Sequence, residues 1–375
     1  MDSPPASYRR AVLTAFVAVA VITGAAAGPE RTLGITFIDV EGGAATLLAT
    51  PEGQSILIDT GYGGRGGRDA SRIVAAMVAA GVTDITHLVA THFHNDHIGG
   101  LQDLASAVSI RSILDNGQPL ATDRLTRNAY RNYEPVRAGI GYVQARPGFT
   151  LSLGGLTATV VSAGGALIAP SNGEGQPSAA TCADAERFAE DGTENYRSVG
   201  LLVEWGRFRF LDLGDLSGNT LTSLVCPANR IGTVSAYLVA HHGDYDTNIP
   251  ALYDALRPHA AIMNNGPTKG GSPDALWTIQ QRPWLDLWQL HAARDPRARN
   301  APDALLANID DGDTAFPLRI EAEVSGRFRV TNPRTGHTRA YPTPGAPAQT
   351  PGPWNDKGRA ALSDSTPLTA ESRKR

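Results

Sequence analysis

The chain has 375 residues, enough to bury a substantial core in one large domain or two. Its formal net charge of −4 supplies no global basic field for a polyanion partner. A hydrophobic content of 42% with 19% charged residues is ordinary for a soluble protein and excludes a chain too polar to build a core.

The N-terminus reads as a secretory signal over residues 1–27. Arg9 and Arg10 precede an apolar run from Ala11 to Ile22, and Ala25-Ala26-Ala27 offers a small-residue cleavage site before Gly28. The run is shorter than the roughly 20 residues that a membrane span needs, and no later run is long enough, so no integral span is expected after signal removal. The expected location is secreted or periplasmic. In an oxidising compartment Cys182 and Cys226, the only two cysteines, read as a disulfide, the alternative being two unpaired buried thiols.

Beyond the signal, strand patterns run over Leu33 to Val40, Ala45 to Thr50 and Ser55 to Thr60, with a turn at Pro51-Glu52-Gly53-Gln54. Asp69 opens a helix that places Ile73, Val74, Met77 and Val78 on one face and stops near Gly81. Ile85 to Thr91 reads as a buried strand. Residues 121–137 read as a helix with Arg124, Arg127 and Arg131 on one face and Tyr130 and Tyr133 nearby. Arginines can fork onto phosphate and tyrosines can stack on bases, although an ordinary solvated helix face has the same look. The Gly/Ala/Ser/Pro-rich stretch 163–193 reads as an insertion or lid. A hairpin is expected over Val199 to Trp205 and Phe208 to Leu213, a strand over Val234 to Ala240, a helix over Ile249 to Arg257 and a strand over His259 to Met263. Phe328 to Thr331 and Thr338 to Tyr341 read as a terminal hairpin. The main domain therefore covers 32–341, and the Pro-, Ser- and charge-rich tail over 342–375 is expected to be disordered.

The most informative segment lies between these elements. Thr91-His92-Phe93-His94-Asn95-Asp96-His97 packs three histidines and an aspartate into six residues directly after a predicted strand. Neutral imidazoles and a carboxylate suit zinc, manganese or iron, and on a tight loop they can converge on two ions. His92-x-His94-x-Asp96-His97 followed by Ile98-Gly99-Gly100 resembles the signature of metallo-β-lactamase-fold hydrolases. Asp59-Thr60-Gly61 upstream and Gly214-Asp215 and His241-His242-Gly243 downstream stand in the matching order. Within that superfamily the chain is most similar to the extracellular hydrolase domain of ComEC-type competence proteins, through Phe37-Ile38-Asp39-Val40, Glu194-Asn195-Tyr196-Arg197-Ser198 and Leu213-Gly214-Asp215.

The resemblance implies a four-layer αββα sandwich of the α/β class and one or two divalent ions, zinc or manganese. It implies His92 and His94 on a first metal, Asp96 and His97 on a second, Asp215 bridging, and His242 as the last ligand of the second metal with His241 as the alternative. Asp59 matches an aspartate that orients ligands and can reach the solvent nucleophile. Asp59, Asp96 and His241 are the candidates for catalytic roles. The remaining histidines, His87, His259, His291 and His337, read as surface or core-edge residues.

Three departures qualify the likeness. Many relatives place another first-metal histidine some twenty residues before the bridging aspartate; this chain has Glu194-Asn195 there. It has Glu41-Gly42-Gly43-Ala44 where competence proteins carry a Gly-Gln-Gly-Asp turn. The loop Asn264-Asn265-Gly266 leads to Gly271-Ser272-Pro273 without the usual histidine, while Lys269 offers an anion contact. Arg127, Arg131, Asn265 and Lys269 are therefore the candidate substrate contacts. The expected activity is metal-dependent hydrolysis of a small-molecule or nucleic-acid phosphodiester. Lactam or lactone hydrolysis and an inactive binding module are the alternatives; the residues do not specify the oligomeric state.

Overall fold

A computed structural model describes residues 31–120, 124–170, 179–183, 185–310 and 314–343. The signal expected over 1–27 and nearly all of the expected tail lie outside these residues.

The chain opens with strands β1 (Thr32–Phe37), β2 (Thr46–Ala49) and β3 (Ser55–Ile58), then helix α1 (Arg68–Ala79) and strand β4 (His87–Val89). The short helix α2 (Asn95–Ile98), α3 (Leu101–Ala107), β5 (Ile113–Asp115), α4 (Arg124–Ile140) and β6 (Tyr142–Gln144) complete the first half. The second half begins with β7 (Thr150–Leu153), β8 (Leu156–Ala163), β9 (Ala166–Leu167) and α5 (Ala179–Ala183). It continues through β10 (Gly200–Trp205), β11 (Phe208–Asp212), α6 (Gly218–Ser223), β12 (Ala236–Leu238), α7 (Pro250–Leu256) and β13 (Ala260–Met263). Helix α8 (Pro273–Gln280), β14 (Asp286–His291) and β15 (Leu306–Asn308) close that half, and β16 (Leu318–Glu323), β17 (Phe328–Asn332) and β18 (His337–Tyr341) return to the first.

Two sheets result. The first runs β18-β17-β16-β1-β2-β3-β4-β5-β6 and the second β15-β14-β13-β12-β11-β10-β8-β7, with β9 on β8. Strands β3 to β6 are mutually parallel, as are β11 to β15, so their C-terminal ends collect on one edge of each sheet. Open parallel sheets place their sites at such edges.

The side-chain alternation of the strands builds the layers. On β2 and β3, Leu48, Ile56 and Ile58 enter the core between the sheets, where Phe37 meets Phe210 edge-on at 5.7 Å. Their neighbours Leu47 and Leu57 face the other way, onto Ile73 and Met77 of α1 and Leu101 and Leu104 of α3. Leu252 and Leu256 of α7 and Leu276 and Ile279 of α8 join the core of the second half. The architecture is a four-layer αββα sandwich, held by buried aliphatics that contribute roughly 1.5–3 kcal/mol each. Between the sheets, His291 Nε2 lies 2.6 Å from Asp39 Oδ1.

Part of the insertion at 163–193 is ordered by pairing of β9 with β8 and by a disulfide between Cys182 and Cys226, with Cα atoms 5.7 Å apart. Among the described residues no helix is long and apolar enough to cross a membrane.

Candidate metal centre

Four strand ends supply the centre. Asp59 follows β3, the His92–His97 loop follows β4, Asp215 follows β11, and the His241-His242 pair follows β12. The loops approach so closely that side chains are excluded at two points. Gly214 sits at φ 54, and a Cβ there would lie 2.7 Å from the Thr91 Cβ. Gly270, at φ 69, would place a Cβ 2.2 Å from the His242 carbonyl oxygen. Only glycine combines this backbone with this proximity.

The donor atoms form two groups that share one residue. Asp96, His97, Asp215 and His242 each offer an atom within 4.8 Å of all the others, and so do His92, His94 and Asp215. In the first group His97 Nε2 lies 3.2 Å from Asp215 Oδ2, 3.3 Å from Asp96 Oδ2 and 3.3 Å from His242 Nε2. In the second, His92 Nε2 lies 3.0 Å from His94 Nδ1 and 3.8 Å from Asp215 Oδ2.

Orientation comes from behind the donors. Asp59 is 1% exposed and spends both oxygens. Its Oδ1 accepts from the Thr91 backbone N–H at 2.8 Å, and its Oδ2 accepts from the Thr91 hydroxyl at 2.7 Å and from His97 Nδ1 at 2.7 Å. The Nδ1 proton of His97 is thereby fixed, and its Nε2 faces the other donors. Lys269 forms an ion pair with Asp96 at the mouth.

The electrostatics favour a cation at this point. Burial works against the charged form of Asp96, yet His97, His242 and Lys269 hold its carboxyl well below the usual range. Asp215 behaves alike through His242, His97 and His241. Burial opposes protonation of His97, but Asp215, Asp96 and Asp59 push it well above the usual imidazole value. The Nε2 atoms of His97 and His242 face each other at 3.3 Å beside the two carboxylates, so a bound cation in place of the ring proton would find nitrogen and oxygen donors on one volume. This nitrogen and oxygen set fits zinc or manganese.

Residues 38–170 match the profile described as "Metallo-beta-lactamase superfamily". "Metallo-beta-lactamase domain-containing protein 1" of Xenopus laevis is 31% identical over 103 residues, 27% of this chain and 37% of that protein. The matched segment thus spans little more than a third of that relative. Among solved structures, the metallo-beta-lactamase fold protein YhfI from Bacillus subtilis is similar at 11% identity over 77% of this chain and 100% of its own, with a TM-score of 0.39. CmlA, a diiron beta-hydroxylase from Streptomyces venezuelae, is similar at 16% identity over 63% of this chain and 45% of its own, with a TM-score of 0.37.

Within this metallo-beta-lactamase fold the remaining candidates fall in several places. His242 joins Asp96 and His97, whereas His241 stands apart, its Nδ1 2.8 Å from Asp246 Oδ1 and its Nε2 3.8 Å from Asp215 Oδ2. Glu194 accepts from the Leu120 N–H, while Asn195 Nδ2 lies 3.3 Å from His241 Nε2. Asn265 is buried and donates to the Gly266 and His291 carbonyls. A groove of about 440 Å³ runs between His94, Asn95 and Asp96 on one wall and Leu125, Asn128, Ala129 and Asn132 of α4 on the other. Arg127 and Arg131 are exposed and do not line it.

Two expectations need correction. Tyr130 and Tyr133 are not stacking platforms: they are 6% and 1% exposed and pack on Phe93 at 4.9 and 5.5 Å. The Tyr133 hydroxyl donates to Asp115 at 2.8 Å, which an apolar site would otherwise leave unpaired. His291 is no lone histidine but the buried partner of Asp39. Sequence reasoning missed Asp246 altogether.

Proposed function

We propose that the chain is an exported, metal-dependent hydrolase that cleaves phosphodiesters outside the cytoplasm. The observation that carries the hydrolase reading is the pair of donor groups joined at Asp215. Bound there, two divalent ions would supply Lewis acidity and an activated water.

The chain's own residues do the rest. Asp59 keeps His97 in the tautomer whose Nε2 faces the site. Lys269, with its ammonium against Asp96, sets a positive charge at the mouth, where an anionic oxygen of a substrate can share it. The likeness of the motifs to ComEC-type proteins supports the phosphodiester choice. The export reading rests on the signal-like residues 1–27.

A second reading has its own support. The groove beside His94 contributes Leu125, Asn128 and Asn132 and no charged side chain from α4, which suits an uncharged lactone or lactam ring. Purified protein loaded with zinc or manganese is to be assayed on bis(p-nitrophenyl) phosphate and on a chromogenic β-lactam. Chelator-sensitive phosphodiester turnover is expected. Lactam turnover alone moves the protein to the second reading, and absence of bound metal and of turnover refutes both.

A further inference from the structure

We propose that His241, oriented by Asp246, is the third nitrogen donor of the metal subsite built by His92, His94 and Asp215. It would replace the histidine that the sequence lacks near Glu194-Asn195. The inference rests on the metal-dependent reading above.

Three observations converge on it. The first is reach. Donors held at about 2.0–2.2 Å from one ion lie roughly 3.4 Å apart in a tetrahedron and at most about 4.2 Å apart when opposed. His241 Nε2 and His92 Nε2 each lie 3.8 Å from Asp215 Oδ2, within that range and on the same oxygen. His241 lies outside the set in which His92, His94 and Asp215 fall within 4.8 Å of one another, and would join it by a shift of its ring about the shared Asp215 oxygen.

The second is the tautomer. His241 Nδ1 lies 2.8 Å from Asp246 Oδ1, so an Nδ1–H can donate to the carboxylate and leave Nε2 toward the site. Asn195 Nδ2 lies 3.3 Å from Nε2 on the other side of the ring. A carboxylate behind one ring nitrogen with the other presented to the site is how metal-binding histidines are held.

The third is the backbone. His241 and His242 are consecutive residues in the left-handed region, at φ 48 and φ 53. Such conformations are strained for ordinary residues and persist where the surroundings require them. Here the double turn sends His242 into its donor group and brings His241 Nε2 to 3.8 Å from the shared Asp215 Oδ2.

The test is manganese binding to the metal-free full chain, followed by titration and by electron paramagnetic resonance. Wild type is expected to bind two ions with an exchange-coupled signal. His241→Asn keeps a side chain that tolerates a positive φ but cannot reach; it is expected to weaken one ion at least tenfold and leave an uncoupled signal. Asp246→Asn leaves the strained residue in place and is expected to weaken the same ion about 10–100-fold. Two tightly bound, coupled ions in His241→Asn overturn the proposal, as does a single wild-type ion that this variant binds equally well. Unchanged binding in Asp246→Asn overturns the orienting role. A wild type that binds no ion refutes the hydrolase reading itself, and it is seen without any variant.

Discussion

Replacing Asp59 with asparagine should separate metal affinity from folding. The substitution is nearly isosteric, and asparagine tolerates the left-handed backbone at this position, where φ is 61. One oxygen remains to accept from the Thr91 N–H. The new amide N–H faces His97 Nδ1 and makes that nitrogen an acceptor. The ring proton then moves to Nε2, the atom that lies 3.2–3.3 Å from Asp215, Asp96 and His242. Loss of such an orienting partner costs about 10–100-fold in metal affinity, or roughly 1.4–2.7 kcal/mol. Folding of the metal-free protein should suffer little, because burial already pushes the Asp59 carboxyl up and the variant removes that charge. The assay is zinc titration of metal-free protein by calorimetry, with thermal unfolding in chelator as the control. Wild-type zinc affinity in a folded Asp59→Asn protein would refute the tautomer argument.

Three further outcomes are expected. Asp96→Ala and His94→Ala should each abolish metal-dependent turnover while leaving the chelator-treated melting temperature within a few degrees; folded, metal-analysed variants that retain turnover would contradict the site. Asp212 is buried beside Asp59 and Asp215, and burial lifts its carboxyl from 3.8 to about 7 despite the Gly214 N–H at 3.0 Å. Its folded form therefore holds a proton that the unfolded chain releases, and stability should fall as pH rises between about 4 and 7, by at most about 1.4 kcal/mol per pH unit. Asp212→Asn should lack that slope in denaturant melts run across the same range. Replacing Cys182 and Cys226 with serine opens a loop spanning a sequence separation of 44, which chain-entropy reasoning values at about 4 kcal/mol; an unchanged unfolding midpoint would show that the cross-link is energetically idle.

The legible part of this protein was its periodic and motif-bearing part. Helix α1 was visible because Ile73 and Met77 recur at helical spacing before Gly81. The hairpin of β10 and β11 was visible because Gly206-Arg207 interrupts two apolar runs. The metal loop was visible because six residues carry four donors. The three-residue strands β5 and β6 were not, since so few residues show no period, and β14 hid in a run where every side chain is buried. The direction of α4 was misjudged for a different reason. Helical spacing groups arginines and tyrosines but does not say which side meets Phe93, and the aromatics took the core. Asp246 escaped because its role depends on the turn through two left-handed histidines, which no local pattern announces.

The pairing of β1 with β16 sets an order of assembly. Thr32 lies against Glu323 and Phe37 against Leu318, so the first strand of the domain borders one of its last. A nascent chain that has already delivered all six residues of the two donor groups still has a bare hydrogen-bonding edge on β1, because β2 covers only the other side. Loop closure over so long a stretch must be met before that edge is sealed. Completion of the first sheet thus waits for strands β16 to β18.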